Sequence, residues 1–230
     1  MSKEQPAKDA ASSPGSVQLH SLREDYRRHT LSKADVAESP FVQFKNWMAE
    51  ACNAEVPEPN AMTLATVGPS GAPSTRTVLL KGLERERFIF FTNYSSRKGR
   101  ELEENPQASV TFLWKELERQ VSIRGTVKKS SREASKRYFH SRPYGSQIGA
   151  ITSTQSTVVE SRNSLEIKYK ELMEKYPEGG NPVPLPDNWG GFELIPSEIE
   201  FWQGRSSRLH DRILYSLTVN NLWVIERLCP

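Results

Sequence analysis

The chain has 230 residues, enough for one substantial domain or two small ones, and its 36% hydrophobic and 26% charged composition is that of a soluble globular protein with a polar tail. Lys and Arg exceed Asp and Glu by only 31 to 28, a net charge of +3, which excludes a nucleic-acid binder acting through bulk charge and requires any anion site to come from local clustering. Two cysteines (Cys52, Cys229) and four scattered histidines (His20, His29, His140, His210) form neither a disulfide framework nor a metal-ligand pattern, so a reducing, cytoplasmic compartment and no metal are expected.

No run approaches the roughly 20 apolar residues of a membrane helix. Residues 1–18 are rich in Ser, Ala, Lys and Pro and carry Glu4 and Asp9; they lack the apolar stretch of a signal peptide and hold acids that a mitochondrial presequence avoids. They read as a disordered tail, with 19–230 as a single domain. Leu19 to Thr30 is charged and reads as a short helix, with Arg23 and Tyr26 three apart on one face. Ser39-Pro40 is a helix start, and Phe41, Phe44, Trp47, Met48 and Ala51 follow as an amphipathic core stripe.

The pattern then turns to strands. Ala61 to Val67, a Gly68-Pro69-Ser70-Gly71 turn and Ser74 to Leu80 predict a hairpin. Arg87 to Thr92, Ala108 to Trp114 and Arg119 to Val127 are further strands, with a helix from Ser96 to before Asn105-Pro106. A capping box of Ser130 and Glu133 starts a second helix that runs to about His140, and a third spans about Ser161 to Tyr176. After the Gly179 to Pro186 linker, strands resume over Trp189 to Trp202, and Ile213 to Tyr215 with Leu222 to Ile225 form a last hairpin. Closely spaced strands without alternating long helices predict a mainly β chain with flanking helices (α+β), an antiparallel barrel or sandwich.

Polar residues that interrupt these patterns mark the chemistry. Arg76 and Lys81 bracket an apolar strand centre and, five apart, point to opposite faces of a regular strand. Arg97 and Lys98 fall in the first turn of a helix capped by Ser95-Ser96, where cations oppose the macrodipole; a bound phosphate would resolve that conflict. Tyr138 and Arg142, four apart at a helix end, with Ser146 beyond, suit a second phosphate cradle, and Gln155-Ser156 adds neutral donors. Phe201 to Arg212 packs Trp202, Arg205, Arg208, His210 and Arg212 together; Arg208 and His210 share a face if that segment is extended. Either this stretch grips a polar ligand or it is a strand end with solvated charges.

Taken together, Arg76-Thr77-Val78-Leu79-Leu80-Lys81, Phe91-Thr92-Asn93 with Ser96-Arg97-Lys98, Arg119-Gln120-Val121, Tyr138 to Pro143, Ser146 to Ala150, Gln155-Ser156, Trp189 to Phe192, Phe201 to Gly204 and Arg208-Leu209-His210-Asp211-Arg212 closely resemble the pyridoxine (pyridoxamine) 5′-phosphate oxidase family, over nearly the whole chain from Leu22. The resemblance implies an FMN-binding split barrel, antiparallel and Greek-key-like, working as a homodimer with the flavin at the subunit interface. It implies oxidation of pyridoxine or pyridoxamine 5′-phosphate to pyridoxal 5′-phosphate, with O2 as acceptor, H2O2 as product and ammonia from the amine. By position it assigns FMN contacts to Arg76, Thr77, Val78, Leu79, Leu80, Lys81, Phe91, Thr92, Arg97, Lys98, Gln120, Gln155, Ser156, Trp202 and Arg212. The substrate phosphate falls to Lys81, Tyr138, Arg142 and Ser146. The resemblance also implies that Arg208, Leu209 and His210 hold the pyridine ring, with Arg208 and His210 the catalytic pair and His210 either orienting the C4′ group or assisting its proton loss, and that Arg23 and Tyr26 belong to an arm over the substrate.

Three positions depart from the family pattern. Glu58 stands where Asp is expected, Cys229 replaces a small apolar residue, and Arg205 replaces a neutral one. Arg205 is expected to tune product affinity rather than chemistry. The competing readings are another split-barrel flavoprotein, which need not keep Tyr138, Arg142, Ser146, Arg208 and His210 together, and a non-enzymatic carrier of pyridoxal phosphate, which would not need the residues around Arg97 and Lys98.

Overall fold

Residues 24–230, described by a computed structural model, form one curled nine-stranded antiparallel sheet flanked by five α-helices. The expected tail (1–18) and Arg23 lie outside the described residues. The helix expected over Leu19 to Thr30 is not formed in its described part, 24–30. That segment is held by distant groups instead: Arg28 N donates to Glu118 Oε2 (3.0 Å) and Leu31 N to Asp211 Oδ2 (3.0 Å). A short helix has weak intrinsic stability, so such contacts decide its conformation.

Helix α1 (Pro40–Asn53) starts at the predicted Ser-Pro step, with Pro at the first helical turn and Ser39 extended. Its stripe of Phe41, Phe44, Trp47 and Ala51 is buried, each large side chain contributing about 1.5–3 kcal/mol by burial. The strands follow as β1 (Ala61–Val67), β2 (Pro73–Leu79), β3 (Gly82–Glu84) and β4 (Arg87–Asn93). Helix α2 (Arg97–Glu104) then precedes β5 (Gln107–Trp114) and β6 (Arg119–Lys129), and α3 (Arg132–Ser141), α4 (Tyr144–Thr152) and α5 (Arg162–Lys175) follow in a row. The last strands are β7 (Trp189–Gln203), β8 (Asp211–Leu217) and β9 (Trp223–Leu228). The short strand β3 and helix α4 carry too few periodic apolar residues to be read from sequence.

The sheet order is β2-β1-β5-β6-β7-β4-β3, with β8 and β9 added beside β7. The sheet curls until β2 meets β4, closing a half-barrel. Alternation fills its inside: Val110, Phe112, Val121, Ile123, Ile199, Phe201 and Ile213 are each 0% exposed. A second, smaller cluster of Phe139, Ile148, Val183 and Trp189 seats α3 and α4 against the start of β7. The cap of α3 differs from expectation. Ser131, not Ser130, accepts from Ala134 N (3.1 Å), and Ser130 Oγ is buried with no partner among the described residues.

Candidate active site

A cavity of about 800 Å³ opens between β2, the end of β4, the start of α2, and α3–α4. Its walls hold most of the residues singled out in the sequence: Arg76, Thr77, Val78, Leu79, Lys81, Phe91, Thr92, Arg97, Lys98, Tyr138, Arg142, Ser146, Gln155 and Ser156. Arg76 and Lys81 share this cavity despite the opposite faces expected of them, because β2 ends at Leu79 and Lys81 lies beyond its regular geometry. Leu80 is buried in the core and does not line it.

One end of the cavity is built by α2. Ser96 caps the helix by accepting from Gly99 N (3.2 Å). A Cβ on Gly99 would stand 2.1 Å from Tyr94 O, so only glycine lets the helix start lie this close to the end of β4. Lys98 is turned inward and donates to Gln155 Oε1 (2.9 Å) and Thr92 Oγ1 (3.1 Å). Burial, then the nearby Arg76 guanidinium, push its pKa down to about 8. Neither bond is to an anion, so the ammonium is desolvated without a counter-charge there.

Sequence reasoning missed Glu101, which organises the same end. It receives Thr66 Oγ1 (2.5 Å), Ser74 Oγ (2.6 Å) and Arg97 Nε (2.8 Å), while Arg76 Nη1 and Nη2 donate to those same two hydroxyls. Burial raises the Glu101 pKa, but the bonds from Ser74, Thr66 and Arg97 outweigh it and hold it at about 2. The ionised carboxylate therefore fixes both guanidinium groups beside the cavity. The signal was present as an acid four residues after Arg97 in a helix.

The other end is aromatic and cationic. Phe91, Tyr138 and Trp189 form a cluster of near-parallel rings, with centroids 3.9 Å (Phe91–Tyr138), 5.5 Å (Phe91–Trp189) and 6.2 Å (Tyr138–Trp189) apart. The Arg142 guanidinium lies 5.0 Å from the Trp189 ring centroid, and its Nη1 is buried with no partner among the described residues. Burial lowers the Arg142 pKa and raises that of the Tyr138 phenol. Tyr138 and Arg142 thus converge as their spacing predicted, with Arg142 capping α3 and Ser146 in the first turn of α4. A buried, unpaired guanidinium nitrogen aimed into a cavity fits an anionic ligand group.

The remaining expected residues lie elsewhere in the chain. Leu113, Gln120, Trp202 and Arg212 are cross-strand neighbours on β5, β6, β7 and β8. Their row faces outward, since the adjacent Val121, Phe201 and Ile213 are fully buried. Tyr26 and His210 pack on Trp202, with centroid separations of 5.8 and 4.7 Å. Arg208 and His210 are not on an extended segment: Ser206–Arg208 is a tight turn with φ of 56° at Ser207 and 61° at Arg208. Burial and then Arg208 lower the His210 pKa, against an opposing effect of Asp211. Arg212 is committed to Glu200 through a bidentate pair (2.7 and 3.0 Å). None of Tyr26, Gln120, Trp202, Arg208, Leu209, His210 and Arg212 lines the cavity of its own chain.

A family model described as pyridoxamine 5′-phosphate oxidase matches residues 48–176, and one described as the pyridoxine 5′-phosphate oxidase C-terminal dimerisation region matches 189–230. The chain belongs to the pyridoxine/pyridoxamine 5′-phosphate oxidase family. A curated relative from Burkholderia mallei (strain SAVP1), named pyridoxine/pyridoxamine 5′-phosphate oxidase, is 56% identical over 214 residues, covering 92% of this chain and 99% of its own. The structure of PhzG from Burkholderia lata 383, in complex with tetrahydrophenazine-1-carboxylic acid, is similar at 32% identity, with a TM-score of 0.81 over 86% of this chain and 95% of that one. A pyridoxamine 5′-phosphate oxidase-related, FMN binding protein from Nostoc punctiforme shares the fold at 18% identity, with a TM-score of 0.67 over 85% of this chain and 100% of that one. The family's C-terminal dimerisation region begins with β7 and contains Trp202, Arg208, His210 and Arg212.

Proposed function

We propose that this chain is an FMN-dependent oxidase of pyridoxine 5′-phosphate and pyridoxamine 5′-phosphate, forming pyridoxal 5′-phosphate, with O2 as acceptor yielding H2O2, and NH3 from the amine. Its setting is cytoplasmic vitamin B6 metabolism, residues 19–230 acting as one domain of a homodimer. The observation that carries this reading is the pairing of two cationic groups in one cavity, Arg76, Arg97 and Lys98 about Glu101 and Gln155, and Arg142 beside Tyr138 and Trp189, with Lys81 and Ser146 also on its wall. Two anchored phosphates, one of flavin and one of substrate, satisfy both; a single anion leaves buried cations without partners.

The residues fit FMN. Arg76, Arg97 and Lys98, with Thr92, Gln155 and Ser156, would hold its phosphate, and the β2 segment Thr77 to Leu79 would lie along it. When bound, FMN supplies the hydride acceptor and passes the electrons to O2. The protein contributes position. Lys81, Tyr138, Arg142 and Ser146 fix the substrate phosphate, and anchoring both ligands sets the reacting atoms in order. The outward row of Gln120, Trp202 and Arg212, with Tyr26, Arg208, Leu209 and His210, reaches a cavity by belonging to the second subunit. An outward-facing row of this kind on a dimerisation region supports an interface site.

The test is spectroscopic. The purified chain reconstituted with FMN should be yellow, bleach under anaerobic pyridoxine 5′-phosphate and recover with O2 while releasing H2O2. No flavin uptake, or no bleaching, overturns the reading. The similarity to PhzG sets the comparison substrate: bleaching by a reduced phenazine carboxylate but not by pyridoxine 5′-phosphate would reassign the reaction.

A further inference from the structure

The turn that carries Arg208 and His210 is held in an unusual way. The backbone N–H of Arg205 donates to His210 Nδ1 at 3.1 Å. The Arg205 guanidinium reaches past it to Asp211 Oδ2 at 3.0 Å. Asp211 also accepts from Leu31 N (3.0 Å) and, through Oδ1, from Arg227 Nη1 (2.7 Å). Arg227 closes the circuit by donating to Leu31 O (2.7 Å). Asp211 is thus the common acceptor for the turn, the N-terminal arm and the last strand, and Arg205 has a structural partner that its position in the sequence did not reveal.

A backbone amide can only donate, so the His210 Nδ1 that receives it must present a lone pair. In the neutral ring the proton then sits on Nε2. Protonating Nδ1 would break the Arg205 bond, and the reverse ring orientation would set a C–H against that amide and leave it without its acceptor. The ring's edge is fixed further by Trp202 at 4.7 Å and Tyr26 at 6.0 Å between centroids. Among the described residues, the charged or titratable groups around it are Tyr26, Arg205, Arg208 and Asp211.

We propose that Asp211 and Arg205 are positioning residues that hold His210 as its Nε2–H tautomer, so that His210 meets the C4′ group of the substrate as a hydrogen-bond donor and not as a base. The donor role rests on the substrate reading above; the tautomer does not. It replaces the expectation that Arg205 acts by tuning product affinity with a role in aiming the imidazole.

Nitrogen-15 NMR of histidine-labelled full-length protein, reconstituted with FMN, tests the tautomer at pH 7, with the His210 signals assigned by their loss in His210→Gln. The expected result is a protonated Nε2 and an unprotonated Nδ1 for His210, and a shift of both nitrogens toward averaged values in Asp211→Asn as two tautomers interchange. A protonated Nδ1 in the wild-type protein, or an unshifted pattern in Asp211→Asn with intact fold by circular dichroism, overturns the assignment. Kinetics test the role. His210→Gln retains an N–H donor but has no basic nitrogen, and should keep kcat within about tenfold, whereas His210→Leu should lose more. If Gln loses about a hundredfold or more, as removal of a general base does, the donor role is wrong. A wild-type chain that oxidises no pyridoxine 5′-phosphate would sink the functional reading and leave the NMR result standing.

Discussion

The two ends of β7 treat charge in opposite ways. At the Trp189 end, Lys98 is buried and Arg142 half-buried with no carboxylate opposite them among the described residues, and Arg142 keeps an unpaired buried nitrogen. At the Trp202 end, Arg205 and Arg227 share Asp211, and Arg212 is bidentate on Glu200. Unpaired cations are costly to keep and are strong anion binders; paired ones bind little further but hold geometry. The first end is therefore equipped to capture, the second to aim. Glu101 is the exception at the first end, a carboxylate that restrains Arg76 and Arg97 without occupying Lys98.

The contrast breaks most sharply if Arg142 proves dispensable. Arg142→Ala should lower kcat/KM for pyridoxine 5′-phosphate by about 100- to 1000-fold and barely change it for unphosphorylated pyridoxine, in steady-state assays of both. Glu101→Ala leaves two guanidinium groups and two hydroxyls without their acceptor and should cost about 3 kcal/mol in urea unfolding. With its pKa lowered to about 2 from the ordinary carboxyl value of 4.5, Glu101 contributes stability in full above about 4.5, lost as pH falls through about 2; Glu101→Ala should flatten that acid limb.

Lys98 gives a smaller effect with two signs. Its pKa of about 8 against the ordinary lysine value of 10.5 means that, without ligand, it adds stability as pH rises from about 8 to 10.5, where only the unfolded chain stays protonated. Over the same window FMN affinity should fall, by up to about tenfold per pH unit, in a fluorescence-quenching titration. The smallest change is Gly204→Ala. A Cβ there would meet Tyr26 carbons at 2.7–2.8 Å, costing about 1 kcal/mol locally. Hydrogen exchange should quicken at the Arg28 and Leu31 amides, which tie the arm to Glu118 and Asp211, and stay unchanged at Val121 and Phe201.

Much of the capturing end was legible because its signals are local. Tyr138 and Arg142 are one helical turn apart, and Arg97-Lys98 fall at a capped helix start, so spacing alone brought each set together. The barrel class was equally readable, from closely spaced strands with no long helix alternating between them. The aiming end was opaque for the same reason reversed. Asp211 gathers Leu31, Arg205 and Arg227 from three separate segments, and no sequence period links them. The left-handed φ at Ser207 and Arg208 belongs to non-glycine residues, so nothing in the letters announced a turn where an extended pair was expected. Helix α4 was missed because its only fully buried apolar residue is Ile148.

Strand β7 is 15 residues long, on the order of 45 Å if extended, with Trp189 against Arg142 at one extreme and Trp202 against His210 at the other. A chain damaged at one extreme is therefore still whole at the other. On the proposed homodimer, in which the turn of one subunit completes the cavity of the other, a mixture of Arg142→Ala and His210→Leu chains that exchange subunits should be half hybrids, each uniting one undamaged cavity with one undamaged turn. Two impaired preparations would then rescue each other to about a quarter of wild-type turnover, a genetic complementation written into the length of a single strand.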